Sequence, residues 1–235
     1  MLFDLRGRGR RRTVQAIYLS LAILMGGGLV LFGIGSDQSG GLVDGLVGED
    51  GGGGGSATES LDEQIDAQLA KTRANPKDAD AWAQLAIARF RRAGIEGQQQ
   101  DGTYTAAGKR RLGLAAAAWE RHLALDPKKP DVRAANLMVQ AYGVQGLNQL
   151  NNAVNAKQIV TQAERPPSSN LYAQLAVLAY QAGDNRTGDL AGTRAVDLAP
   201  KADRKELRQQ LDLLKQQAAT DRAQQGQTGT TPEPQ

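Results

Sequence analysis

Few side chains in this sequence have the types and spacing that catalysis or metal binding needs. His122 is the only histidine and the chain has no cysteine. A site with two histidines is therefore excluded, as are thiolate zinc sites, disulfides and cysteine nucleophiles. We expect His122 to pack inside a helical domain, and we predict no enzyme activity, no catalytic residue, no cofactor and no metal site.

A basic run is the second candidate for chemistry. Residues 108–111 read GKRR, but they lack the glycine spacing and the following Ser or Thr of a phosphate-binding loop. No nucleotide role is assigned to them. Three further arginines precede the run in the sequence, namely Arg89, Arg91 and Arg92. Together with the basic residues of 108–111 they form either a solvated face, which we favour, or a basic edge that contacts anionic lipid or an acidic partner.

The positive charge of the chain is concentrated at its N-terminus. The formal net charge of the 235 residues is +3, while residues 1–12 alone carry +4, which leaves −1 for residues 13–235. A global field that attracts phosphates is therefore absent, and we predict no nucleic-acid partner. The five arginines responsible are expected to determine membrane topology: Arg6, Arg8, Arg10, Arg11 and Arg12.

The segment that follows these arginines has the length and composition of a membrane span. Residues 14–34 are 21 residues without a formal charge, which as a helix cover roughly 31 Å, the hydrocarbon thickness of a bilayer. The arginines in residues 1–13 predict that the N-terminus stays in the cytoplasm and that the rest of the chain lies outside it. We expect an uncleaved single-pass anchor in a bacterial cytoplasmic (inner) membrane, with cleavage as a signal peptide as the competing interpretation.

Composition divides the rest of the chain into a linker, a domain and a tail. Residues 35–59 are rich in glycine and predict a flexible linker, in which the role of the apolar segment 42–47 stays open. Residues 60–219 show helical periodicity and begin with a capping box at Ser60 and Glu63. Residues 220–235 have no apolar periodicity and predict a disordered tail.

Prolines divide the domain into units that resemble a known repeat. Pro76, Pro127, Pro166 and Pro200 each follow a helical pattern, and the last two are 34 residues apart. Residues 170–200 resemble the tetratricopeptide repeat nearly position by position, and the residues that carry the match are Tyr172, Leu175, Ala176, Tyr180, Gly183, Asp184, Ala195 and Pro200. Gly188 and Gly192 depart from that pattern and are expected to weaken the second helix by about 1 kcal/mol each.

The resemblance extends to two less regular units. The first carries Trp82, Leu85 and Trp119 but has a period of 51 residues, so it contains an insert. The middle unit, 130–166, keeps only the apolar spacing, and residues 203–218 form an amphipathic helix suited to cap a stack. The resemblance implies an all-α helical-repeat solenoid, preceded here by one transmembrane helix.

The resemblance also implies a peptide-binding groove along the first helix of each unit. Transferring the family's ligand-facing positions to this sequence gives a lining of Ile87, Phe90, Arg91, Leu137, Val144, Val177 and Tyr180. This lining is mostly apolar, so an extended apolar or amphipathic protein segment is the expected ligand.

Two functional hypotheses follow. The first is an extracytoplasmic scaffold that binds protein clients through the groove, in a role ancillary to protein translocation or folding. The second is a structural subunit of an envelope or cell-division complex that is recruited through its anchor helix. Both hypotheses predict that the partners are other proteins and the lipid bilayer. Neither hypothesis identifies the client or the oligomeric state.

Overall fold

The computed structural model describes residues 54–228, which form eight α-helices joined by loops. The expected basic N-terminus, the span 14–34 and residues 35–53 of the linker lie outside the described residues. Among the described helices, none has the length and apolar character that crossing a membrane requires. The helices are α1 Gly54–Ala74, α2 Ala79–Gly97, α3 Ala106–Ala124, α4 Val132–Tyr142, α5 Leu150–Ala163, α6 Ser169–Ala182, α7 Asn185–Leu198 and α8 Arg204–Thr228.

Capping side chains explain where most of these helices begin. An Asp, Ser or Thr precedes each of five helices, and its side chain accepts a hydrogen bond from the backbone N–H three residues later. This bond satisfies one of the donors that the first turn of a helix leaves without a partner. The five capping residues are Asp78, Thr105, Asp131, Ser168 and Asp184.

The first and last helices are longer than the sequence predicts. α1 begins at Gly54, so the Ser60 capping box lies inside the helix, where Gln64 Nε2 donates to Ser60 Oγ at 3.4 Å. It ends at Ala74, before Pro76, as predicted. α8 continues to Thr228, ten residues past the expected end at 218.

Consecutive helices pack as antiparallel pairs. The three hairpins are α2 with α3, α4 with α5, and α6 with α7; α1 packs on α2, and α8 packs on α6 and α7. The described chain is therefore an all-α domain of sequential helix pairs, which confirms the predicted fold class at that level and is consistent with a helical repeat.

The apolar core consists of two clusters. The first is built from α2 to α5, with Ile65 and Leu69 of α1 packed against it. The second is built from α6, α7 and α8 together with Val154 of α5. Leu178 of α6 packs against both clusters, so α5 and α6 form the joint between them.

Two glycines set the distance between α2 and α3. A Cβ added to Gly97 would lie 2.2 Å from the Cα of Gly108, and one added to Gly108 would lie 2.8 Å from the Cα of Gly97. The two backbones are thus in direct contact, which no larger residue permits. This contact closes the hairpin just before the inserted loop 98–105, where Gln98 and Tyr104 pair as an isolated bridge.

Candidate functional site

Four of the seven predicted groove residues are buried. Ile87, Phe90 and Leu137 belong to the first core cluster, and Tyr180 belongs to the second, each with 9% exposure or less. Ile87 and Phe90 of α2 are buried because α1, α3 and α4 all pack against this helix and leave little of its surface free. These four side chains contribute to the core of the free domain.

The other three predicted residues are accessible, on separate elements. Arg91 is exposed on α2, Val144 is 63% exposed in the loop after α4, and Val177 is half-buried on α6. The seven residues therefore do not share one surface. Of this set, solvent reaches Arg91, Val144 and Val177.

A surface cavity lies between α6, α7 and α8. Its volume is about 230 Å³. Tyr180 and Leu211 contribute buried walls, whereas Arg208 and Asp212 are exposed on α8. The full lining is Tyr180, Asp189, Gly192, Thr193, Val196, Arg208, Leu211 and Asp212. We call this the α6–α8 cavity.

A small polar cluster holds Tyr180 in the wall of this cavity. The Tyr180 hydroxyl donates to Asp189 Oδ1 at 3.0 Å, and Lys215 Nζ donates to both carboxylate oxygens of Asp189 at 2.6 and 2.8 Å. The Lys215 ammonium also lies 5.6 Å from the centre of the Tyr180 ring. These bonds join α6, α7 and α8 at one point.

The same cluster shifts two pKa values in opposite directions. Hydrogen bonds, first from Lys215 and then from Tyr180, hold the pKa of Asp189 below its usual range. Burial, followed by the hydrogen bond to Asp189 and then by the negative charges of Asp189 and Asp212, raises the pKa of the Tyr180 phenol. Tyr180 is therefore a hydrogen-bond donor at neutral pH and has no character of a general base.

The two glycines of α7 make room for this tyrosine. A Cβ on Gly188 would lie 2.3 Å from Cε1 of the Tyr180 ring, and one on Gly192 would lie 3.4 Å from the Tyr180 hydroxyl. The sequence alone predicts only that these glycines weaken α7. Their spacing of four residues on α7, opposite a large aromatic residue, is the signal that would have located the α6–α8 cavity; Asp189, Arg208 and Asp212 carried no such signal.

His122 has a structural position, as expected. It is fully buried and stacks on Trp119, with 5.0 Å between the ring centres. Its Nε2 accepts from the backbone N–H of Asp131 at 3.2 Å, which places the proton on Nδ1, where it donates to the carbonyl of Ala79 at 2.8 Å. The ring thereby ties the start of α2 to the loop before α4.

The basic residues around the insert are partly used inside the domain. Buried Arg92 pairs with Asp62 of α1, at 2.7 Å from Nε to Oδ1, and with Glu96; Arg111 of α3 also pairs with Glu96. This network joins α1, α2 and α3, and it raises the pKa of Arg92, chiefly through the hydrogen bond to Asp62. Arg91, Lys109 and Arg110 remain exposed.

No arrangement suited to a metal ion occurs in the described part of the chain: no three His, Cys, Asp or Glu side chains converge there. Comparison with known proteins gave no match, whether against protein-family models, curated proteins or solved structures. The fold and these surfaces are therefore the features that bear on function.

Proposed function

We propose that this protein is a membrane-anchored scaffold that binds protein or peptide clients outside the cytoplasm through its helical-repeat domain, in a role ancillary to protein translocation or folding. The anchor and the topology are those predicted from residues 1–34. The clients are segments of apolar or amphipathic character.

The observation that supports this proposal is the serial packing of helix hairpins. Each pair shares its apolar face with the next pair, so the described helices follow one another in a row. Such rows present long solvent-facing surfaces, and repeat domains use these to bind other proteins.

The accessible residues are the proposed contact points for clients, and they lie on separate elements of the domain. Arg91, Val144 and Val177 are the predicted groove positions that solvent reaches, and the α6–α8 cavity adds Arg208 and Asp212. A cavity of about 230 Å³ is smaller than the roughly 300 Å³ at which small-molecule pockets begin, so it suits one client side chain.

Site-specific photocrosslinking of the full chain in intact membranes tests the proposal. A photoreactive residue is placed in turn at Arg91, Val144 and Arg208, with matched controls at Ala117 and Asn155, exposed positions on the second helices α3 and α5. We expect discrete protein adducts from the first three positions and few from the two controls.

The competing hypothesis, recruitment through the anchor, gives the opposite pattern. It predicts adducts from positions within residues 14–34 and none from the repeat domain. That result would contradict a client-binding surface on the helices.

A further inference from the structure

Lys157 is a buried cation at an unusual place in the fold. It lies on α5 with only 8% of its surface exposed. Its ammonium donates to Oε1 of Gln174 on α6 at 2.6 Å, and the Gln174 amide donates in turn to Asn170 Oδ1 at 3.3 Å. The hydrogen-bond partner of the Lys157 ammonium is thus a neutral amide and not a carboxylate.

The surrounding helices supply no counter-ion. α5 packs against α4 and α6, and the residues of these three helices include no Asp or Glu. Their other charged residue is Arg133, whose side chain is 76% exposed. The loop after α5 carries Glu164 and Arg165, both exposed, and Glu164 comes seven residues after Lys157, which is roughly 10 Å along a helix.

The tyrosines on the packed helices are occupied elsewhere or are half-exposed. Tyr142 donates its hydroxyl to Glu120 and Tyr180 donates to Asp189, while Tyr172 is half-buried near the start of α6. Burial is accordingly the one cause that lowers the pKa of Lys157, to about 8. A charge that is buried without a counter-ion destabilises the packing around it.

The position of Lys157 coincides with the joint between the two core clusters. Ala153 and Ala156 of α5 belong to the first cluster, whereas Val154 belongs to the second. The bond from Lys157 to Gln174 crosses from α5 to α6, between the second and third hairpins. The destabilising charge therefore acts where the two halves of the domain meet.

We propose that the α5–α6 joint is a hinge, loosened by the uncompensated charge of Lys157 and tightened when that charge is neutralised. Loss of the ammonium proton, or a carboxylate brought beside it, closes the joint and fixes the third hairpin and α8 against the first two hairpins. Since the domain is expected outside the cytoplasm, ambient pH would set how rigid the stack is.

Distance measurements between spin labels test the hinge in the full chain. The sequence has no cysteine, so Gln140→Cys on α4 and Gln181→Cys on α6, both at exposed positions, give one label on each side of the joint. A control pair, Gln140→Cys with Asn155→Cys, lies within the second hairpin. The detergent-solubilised protein is measured at pH 6.5 and at pH 9.5.

We expect the distance distribution across the joint to be about twice as broad at pH 6.5 as at pH 9.5, with no change in the control pair. Two variants should give the narrow distribution at both pH values: Lys157→Met, which removes the charge, and Gln174→Glu, which supplies a counter-ion at the observed 2.6 Å position. Equal widths at the two pH values in the parent, or a broad distribution in Gln174→Glu at pH 6.5, would overturn the proposal.

Discussion

At the scale of single residues, the conformation of Tyr180 depends on the absence of a side chain at Gly188. The ring occupies the space that a Cβ at position 188 would fill. Its hydroxyl donates a hydrogen bond to Asp189, the next residue of α7. We predict that Gly188→Ala destabilises the domain by about 1–3 kcal/mol, because the added methyl group overpacks the Tyr180 site. Urea unfolding followed by circular dichroism measures the change.

A double-mutant cycle checks the cause of that loss. In a Tyr180→Ala background the ring is gone, so Gly188→Ala should become neutral or stabilising through its better helix propensity. Equal destabilisation in both backgrounds would show that the methyl group meets something other than the ring.

Lys157 gives the stability of the domain a specific pH dependence. Its pKa falls from 10.5 in the unfolded chain to about 8 in the folded one, because burial penalises the charged form. Between these values the unfolded state binds more protons, so stability rises with pH from about 8 towards 10. The lowered pKa corresponds to about 3 kcal/mol at most.

Lys157→Met should remove this rise and be more stable than the parent at neutral pH. Above about pH 10 the opposite trend begins in both proteins, because burial raises the pKa of Tyr142 and Tyr180 and their phenols ionise only on unfolding. The difference between the two stability curves, from urea unfolding at pH 7 to 10, isolates Lys157. Lys71→Met, at an exposed lysine of α1, is the control and should leave the slope unchanged.

At the scale of helices, the approach of α2 to α3 depends on the Gly97–Gly108 contact. A methyl group on Gly108 meets backbone atoms that have no rotamer to change. We predict that Gly108→Ala separates the two helices and lowers the free energy of unfolding by roughly 2–3 kcal/mol or more. Chemical denaturation measures the loss.

Gly113 provides the matched control on the same helix. No atom lies within 4 Å of a Cβ added there, so Gly113→Ala should stabilise α3 by about 0.5–1 kcal/mol through propensity alone. If the two alanine variants were equally stable, the backbone contact would not be what holds the hairpin.

The helix pairs were predictable from sequence because local signals define them. Apolar spacing, Asp and Ser caps and proline stops all act within a few residues. The accessible surface was less predictable. Whether Ile87 and Phe90 face solvent depends on how α1, α3 and α4 pack on α2. The hydrogen bond of Lys157 depends on Gln174, 17 residues away on another helix. Such tertiary packing has no local signature.

At the scale of the whole domain, the two core clusters predict separable stability. α8 supplies Leu211 and Ala218 to the second cluster and packs on α6 and α7. A chain that ends after Lys201 lacks α8, so we expect α6 and α7 to lose protection from hydrogen exchange while α2 and α3 keep it. A chain that ends after Gln224 keeps both residues and should behave like the parent.

Hydrogen exchange measured by mass spectrometry distinguishes the outcomes. Loss of protection throughout residues 79–198 in the shorter chain would mean that the two clusters unfold as one unit.

Both tryptophans of the chain lie in the first hairpin. Trp119 is buried against His122, and Trp82 is half-buried and donates its indole N–H to the carbonyl of Pro76 at 3.0 Å. The second cluster contains none. Tryptophan fluorescence therefore reports on the first hairpin only, whereas far-ultraviolet dichroism reports on every helix. A dichroism change that precedes the tryptophan fluorescence change on heating would show, without any label, that helices outside the first hairpin melt before it.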